Sequence, residues 1–229
     1  MPPAILAKPI QRLEGGGAAV AAEDAVAVEE PLEIRFAGRS VAVVMRTPGN
    51  DRELAAGFFV TEGIIRTGDD LLDLVRCRGD SGEPSSNVID AVPSPGVILD
   101  EARLTRHLFT ASSCGICGKA TLAAIRGIFP PLPPAAPPRR DVLASLPGRL
   151  RAAQTAFAVT GGLHACAVFD ADGNLEGAHE DVGRHNALDK VIGRAVLDGR
   201  VPLAGRIVLV SGRVSFELMQ KALAAGAGC

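Results

Sequence analysis

The chain has 229 residues, with 24 basic and 26 acidic side chains giving a net charge of -2, and 47% of its residues are apolar. This is a globular composition, long enough for one large domain or two lobes, and its charge balance argues against a general nucleic-acid backbone binder. Trp and Tyr are absent, which removes the usual platform for stacking bases, and no apolar run approaches the roughly 20 residues that span a bilayer. No nucleic-acid or membrane partner is therefore expected. The first residues lack the basic segment and apolar core of a secretory signal, so the expected compartment is the cytoplasm.

In chain order, residues 1–27 are rich in Ala, Gly and Glu without clear periodicity and read as a disordered tail. Residues 28–111 read as an α+β N-terminal lobe. "LEIRFAGRSVAVVMRT" alternates apolar and polar residues around Gly38-Arg39 and predicts a hairpin. "NDRELAAGFFVTEGII" predicts a helix capped by Asn50 or Asp51, with Leu54, Phe58 and Phe59 on one face, ending at Gly63. Short strands are expected at 72–78, 86–92 and 96–99. Residues 112–128 hold "SSCGICGK" and a short helix over 119–129 with Leu122, Ile125 and Phe129 at helical spacing. The proline-rich run at 129–139 is stiff and extended, a natural boundary.

Residues 140–229 read β–β–α–β–α. "GLHACAVFDADGNLEGAHED" predicts a hairpin turned at Asp172-Gly173-Asn174. "VGRHNALDKVIGRAVLDG" predicts an amphipathic helix burying Leu188, Ile192 and Ala195. "RIVLV" is an apolar strand leading into a helix with Ser215 as its N-cap, and a parallel partner strand is expected after it. The fold class is α/β.

Three clusters carry chemistry. The five cysteines are Cys77, Cys114, Cys117, Cys166 and Cys229, too odd and sparse a set for a disulfide framework. Cys114 and Cys117 sit among small residues before a helix start, with Lys119 nearby, which favours an anionic thiolate. Such a pair can carry sulfur, cycle as a dithiol, or join His164 and Cys166 of "HAC" in a zinc tetrahedron. The run "HEDVGRHNALDK" crowds His179, Glu180, Asp181, Arg184, His185 and Asn186 together. Asp181 is placed to cap the helix, and Asp189 stands four residues from His185, where a carboxylate orients an imidazole. In "VSGRVSFELMQK" a strand ends at Ser211-Gly212 and a helix opens at Ser215, offering N–H groups to an anion with Arg213 beside them.

Taken in this order, "ELAAGFFVTEGII", "SSCGICGK", "TGGLHACAVFD", "HEDVGRHNALDKVIG" and "LVSGRVSFELMQKALAAG" resemble the FdhD family, the accessory sulfurtransferases of formate dehydrogenase. The resemblance implies a sulfur carrier that accepts persulfide sulfur from a cysteine desulfurase. It would pass that sulfur to the molybdenum bis-guanine-dinucleotide cofactor, its cargo, during formate dehydrogenase maturation. It implies a cytidine-deaminase-like second lobe and a homodimer, with Cys114 as the persulfide-bearing cysteine and Cys117 as its partner. It also assigns His179, Asp181, Arg184 and His185 to the cofactor pocket, and Ser211, Gly212, Arg213 and Ser215 to guanine-nucleotide phosphates. The family pattern continues beyond "KALAAG", so a C-terminally shortened second lobe is expected. The alternatives are a zinc-binding module using Cys114, Cys117, His164 and Cys166, and a nucleotide-binding regulator without thiol chemistry.

Overall fold

The computed structural model describes residues 3–13, 15, 17–78, 84–97, 132–134 and 136–229. Cys114, Cys117 and the helix expected over 119–129 lie outside them. The expected N-terminal tail is instead a hairpin: Ile5–Arg12 (β1) and Val20–Ala27 (β2) pair antiparallel from Ile5↔Ala27 to Arg12↔Val20. Its alternation is carried mostly by alanines and broken by charges, so it has little β signature of its own.

The next hairpin forms as the sequence predicts, with its loop one residue earlier than the expected Gly38-Arg39, since Arg39 already pairs with Phe36. Glu30–Phe36 (β3) and Arg39–Arg46 (β4) are joined by Ala37 and Gly38, both at positive φ (51° and 78°), the backbone twist that a two-residue hairpin loop requires. Leu71–Arg78 (β5) and Pro84–Pro93 (β6) complete a sheet of order β4-β3-β6-β5, in which β3 and β6 run parallel. The strand expected at 96–99 does not begin at Gly96 and Val97, which belong to a turn closed by Val97 N on Ser94 O; residues 98 and 99 lie outside the described set. Asp51–Thr61 (α1) follows an Asn50 N-cap and is buried continuously from Leu54 to Thr61. One apolar face was expected, but a helix buried on all sides must have packing partners on all sides.

After the Pro-rich run come two helices that the strand–helix pattern did not predict, Arg140–Ala153 (α2) and Thr155–Thr160 (α3). The expected β–β–α–β–α order then appears as His164–Phe169 (β7), Leu175–Asp181 (β8), Arg184–Leu197 (α4), Ile207–Val210 (β9) and Phe216–Ala224 (α5). The β7–β8 turn is held by the Asp170 carboxylate, which accepts from Asp172 N, Asn174 N and Asn174 Nδ2. The second sheet has the order β8-β7-β9, with β7 antiparallel to both neighbours. On the side of β9 away from β7, Val208 N donates to Cys229 O at 2.8 Å.

The lobes meet where α1, lying on the first sheet, crosses α4, lying on the second. Two glycines set the approach. A Cβ on Gly57 would stand 1.9 Å from Asp189 O, and one on Gly193 would stand 1.7 Å from Glu53 O. Around the crossing, Leu54, Phe58, Leu188 and Ile192 join Phe36 and Phe59 in one apolar cluster, while α2 packs Val142, Leu146 and Leu150 on the opposite face of β7.

Charged side chains are built into this interface with their partners. Asp181, with no exposed surface, accepts from Thr47 N (3.1 Å), Gly183 N (2.8 Å) and Asn186 Nδ2 (2.9 Å), and pairs with Lys190 Nζ at 2.7 Å. Lys190 also donates to Thr47 O, and Asn186 to Met45 O, tying β4 to α4. Nearby, Lys221 on α5 meets both oxygens of Asp189 (3.1 and 2.9 Å), Thr61 Oγ1 (2.8 Å) and Glu62 Oε1 (3.0 Å). Burial raises the Asp189 carboxyl above the ordinary range, and Lys221 and Thr61 oppose that shift. Removing one partner of such a pair strands the other. Lys221→Met is therefore expected to lower stability by about 3–5 kcal/mol in urea unfolding, with part of the loss recovered when Asp189→Asn is added. No loss in the single variant would show that the pair contributes nothing.

Candidate functional site at the end of the second sheet

Because β8 and β9 are both antiparallel to β7, they run parallel to each other and deliver the chain into α4 and α5 at the same end of the sheet. His164 opens β7 at that end, opposite Asp181 in register. Ser211 continues the ladder beyond β9: its N–H donates to Ala165 O (2.9 Å) and its hydroxyl accepts from Ala165 N (2.8 Å). Gly212 then lies against His164. A side chain there would begin 3.3 Å from the His164 Nδ1 and 3.9 Å from Arg184 Cδ, so the glycine lets the loop pass the imidazole and the guanidinium stem. Arg184 and His185 are the first two residues of α4.

His185 faces α5. Its Nε2 lies 3.7 Å from Glu217 Oε2, and that oxygen accepts from Ser215 Oγ at 2.9 Å. Neither N-cap, Gly183 of α4 or Ser215 of α5, uses a side chain to accept from a backbone N–H of its helix. The N–H groups and positive dipole ends of two helices thus converge here, a setting that favours anionic groups.

The structure therefore brings together Arg184, His185, Ser211, Gly212 and Ser215 from the expected site, and adds His164 and Glu217. Arg213 follows them with an exposed side chain. The Asp181 side chain does not open onto this mouth and is not the helix cap. Gly183 takes the cap position, and the Asp181 carboxylate faces inward, engaged with Thr47, Lys190, Asn186 and Gly183. His179 lies back along β8 opposite Cys166. Burial lowers its pKa, and the charges that act on it belong to Glu53, Lys190 and Arg194. Glu180 turns to the other face, where it accepts from Ala156 N and Phe157 N at the start of α3.

The spacing of His185 and Asp189 also misleads. Asp189 is engaged by Lys221 and Thr61, and the carboxylate beside His185 is Glu217 from α5. Only the packing of α5 on α4 creates that neighbour; in the sequence, "SFE" reads simply as a helix start. Burial, then the Lys221 and Arg184 cations, hold the His185 imidazole down to about 4, against the opposing pull of Glu217 and Glu62. The ring is neutral at pH 7, so its approach to Glu217 is not an ion pair.

That depression gives a stability prediction. The unfolded chain takes up this proton near pH 6.5, the folded chain only near 4. Between those values the unfolded state binds more protons, so the contribution is complete above about pH 6.5 and is lost as the pH falls toward 4. With 24% of the side chain exposed, screening reduces the effect. His185→Gln is expected to lessen the stability lost between pH 7 and 5 by about 1 kcal/mol, read from urea midpoints. An unchanged slope would place the imidazole proton elsewhere.

Cys166 is the described cysteine of the zinc alternative; Cys114 and Cys117 lie outside the described residues. Cys166 is fully buried on the α4 face of β7, and burial pushes its thiol far above the ordinary range. Among the described residues no group of three or more His, Cys, Asp or Glu side chains is disposed to hold a metal ion, and no helix is long and apolar enough to cross a membrane.

Comparison with known proteins extends these observations. Residues 27–229 match the model of the FdhD/NarQ family. The chain is 50% identical over 215 residues to a sulfur carrier protein FdhD of Streptomyces avermitilis, covering 92% of this chain and 76% of that protein. It is 49% identical over 214 residues to the protein of the same name from Mycolicibacterium paratuberculosis, covering 92% and 79%. In fold it is similar to the crystal structure of a protein described as a formate dehydrogenase accessory protein from Desulfotalea psychrophila. The TM-score is 0.73 at 22% identity, over 98% of this chain and 81% of that one.

Proposed function

Since this chain belongs to the FdhD/NarQ family, we propose that it is a sulfur carrier acting in the maturation of a formate dehydrogenase. The observation that carries this reading is identity at half of the aligned positions, across nearly the whole chain, with proteins named sulfur carriers. In the loading step, the Cys114 thiolate attacks the outer sulfur of a desulfurase persulfide. The persulfide S–S bond breaks, the desulfurase cysteine leaves as a thiolate, and Cys114 retains the transferred sulfur as its own persulfide. Electrons balance without an external oxidant. The acceptor is the molybdenum cofactor bearing two guanine dinucleotides, held as cargo rather than as a resident group.

The sheet end supports that cargo reading. Two helix N-termini, Arg184 and the exposed Arg213 suit phosphates, and Gly212 lets the backbone approach closely. Incubating the chain with a cysteine desulfurase and cysteine should add the mass of one sulfur atom, removable by reductant. No mass gain under conditions that load a known sulfur carrier would overturn the reading.

A further inference from the structure

The β1–β2 hairpin is a sheet of its own, and none of its residues joins either apolar cluster. It meets the second lobe at α3, where a Cβ on Gly162 would lie 3.8 Å from Ala27 Cβ. That contact engages the face carrying Ala25 and Ala27. A two-stranded hairpin is marginal in water unless a further strand or a packed face supports it. The opposite face has no such support among the described residues.

On that face Leu6 stands opposite Val26, Lys8 opposite Asp24 and Ile10 opposite Ala22. Leu6 and Val26 are 39% and 37% exposed. The central pair is not closed within the hairpin: Asp24 accepts from Ala25 N at 2.8 Å, and Lys8 has no partner among the described residues. An apolar rung on each side of one cation and one anion is a self-complementary pattern. A two-fold axis running along the hairpin, midway between its strands, would set β1 of one copy on β2 of the other. Lys8 would then meet the partner's Asp24, and Leu6 the partner's Val26. An axis across the strands would oppose Lys8 to Lys8, which charge repulsion disfavours.

We infer that this hairpin face pairs with the same face of a second copy of the chain. A homodimer is expected from the family resemblance alone, which names no surface; the hairpin supplies one, with a register. The face is small beside the roughly 800 Å² per partner of a standard interface, so the dimer should be reversible and depend on concentration. The inference is independent of the sulfur-carrier reading.

The test is subunit exchange on the whole chain, read by sedimentation and native mass spectrometry. Wild type should pass from monomer to dimer as its concentration rises. The doubly swapped chain, Lys8→Asp with Asp24→Lys, keeps opposite charges facing both within the hairpin and across the two-fold axis. It should therefore dimerise as wild type does. Mixed with wild type, it sets lysine against lysine and aspartate against aspartate, so mixed dimers should fall at least about fivefold below their statistical share. Leu6→Asp should weaken the dimer at least about tenfold, with the thermal midpoint little changed. The inference is overturned by a wild type that is monomeric at every concentration, by a folded swapped chain that stays monomeric, or by free mixing of the two forms. A Leu6→Asp chain that dimerises as tightly as wild type also overturns it, and decides alone should the swapped chain not fold.

Discussion

Gly193→Ala is expected to lower stability by at least about 3 kcal/mol, or to prevent folding, and Gly57→Ala to do nearly the same. The clash is between backbones. At Gly193 the added carbon meets Glu53 O at 1.7 Å, Glu53 C at 2.6 Å and Gly57 N at 2.6 Å; at Gly57 it meets Asp189 O at 1.9 Å. No rotamer change relieves such contacts, so α1 and α4 must separate. Doing so opens the apolar cluster around Leu54, Phe58, Leu188 and Ile192 and loosens the bonds that the Asp181–Lys190 and Asp189–Lys221 pairs of the second lobe make to Thr47 and Thr61 across the same interface. It also displaces Arg184 and His185, which ride on α4. Gly148 is the control. It lies inside α2, and a Cβ there meets nothing within 4 Å, so Gly148→Ala should be neutral or gain up to about 1 kcal/mol from the greater helix propensity of alanine. Urea unfolding of the three variants distinguishes the cases. A Gly193→Ala midpoint equal to wild type would mean that the helices part without cost.

The same crossing shows what could be read from the sequence and what could not. Hairpins announced themselves through local chemistry: a turn read at Gly38-Arg39 between alternating strands, one residue past the actual Ala37-Gly38 loop, and one at Asp172-Gly173-Asn174, which Asp170 holds with its carboxylate. Helix α4 was legible because Leu188, Ile192 and Ala195 repeat at helical spacing, and all three are buried. A glycine inside a helix, by contrast, reads only as lost propensity, and the reason for Gly57 and Gly193 exists only once the helices touch. The dense polar run at 179–190 was half legible. Arg184 and His185 reach the sheet end, but Asp181, Asp189 and Lys190 are interlobe partners, because the run that opens α4 also builds the seam with α1 and β4. Glu217 gave no signal, since its significance comes from a histidine more than thirty positions earlier. The β1–β2 hairpin has no aromatic residue and scatters its β-branched Ile5, Ile10, Val20 and Val26 among alanines and charges, and the prolines at 130–138 and Pro147 obscured α2.

The second large effect concerns Cys114 and Cys117. A zinc clamp or a redox dithiol needs both sulfurs, so either substitution would be equally damaging. A sulfur carrier is asymmetric, because one thiolate receives the sulfur and the other assists its release or limits over-oxidation. A cysteine at its ordinary pKa is only about 3% thiolate at pH 7. The receiving sulfur is therefore the one best placed for stabilisation by helix-start N–H groups and Lys119 while still reaching both donor and acceptor. We propose Cys114 for that place, ahead of the expected helix, with Cys117 about one turn further in. Cys166 supplies an internal control: buried completely and held protonated, it should take up no sulfur. Cys114→Ala is expected to abolish both sulfur loading and formate dehydrogenase maturation, and Cys117→Ala to retain measurable loading. Peptide mass spectrometry after incubation with desulfurase and cysteine reads the outcome directly. Sulfur found on Cys117 alone, or loading lost entirely from either substitution, would remove Cys114 from the carrier role and return the pair to a symmetric function.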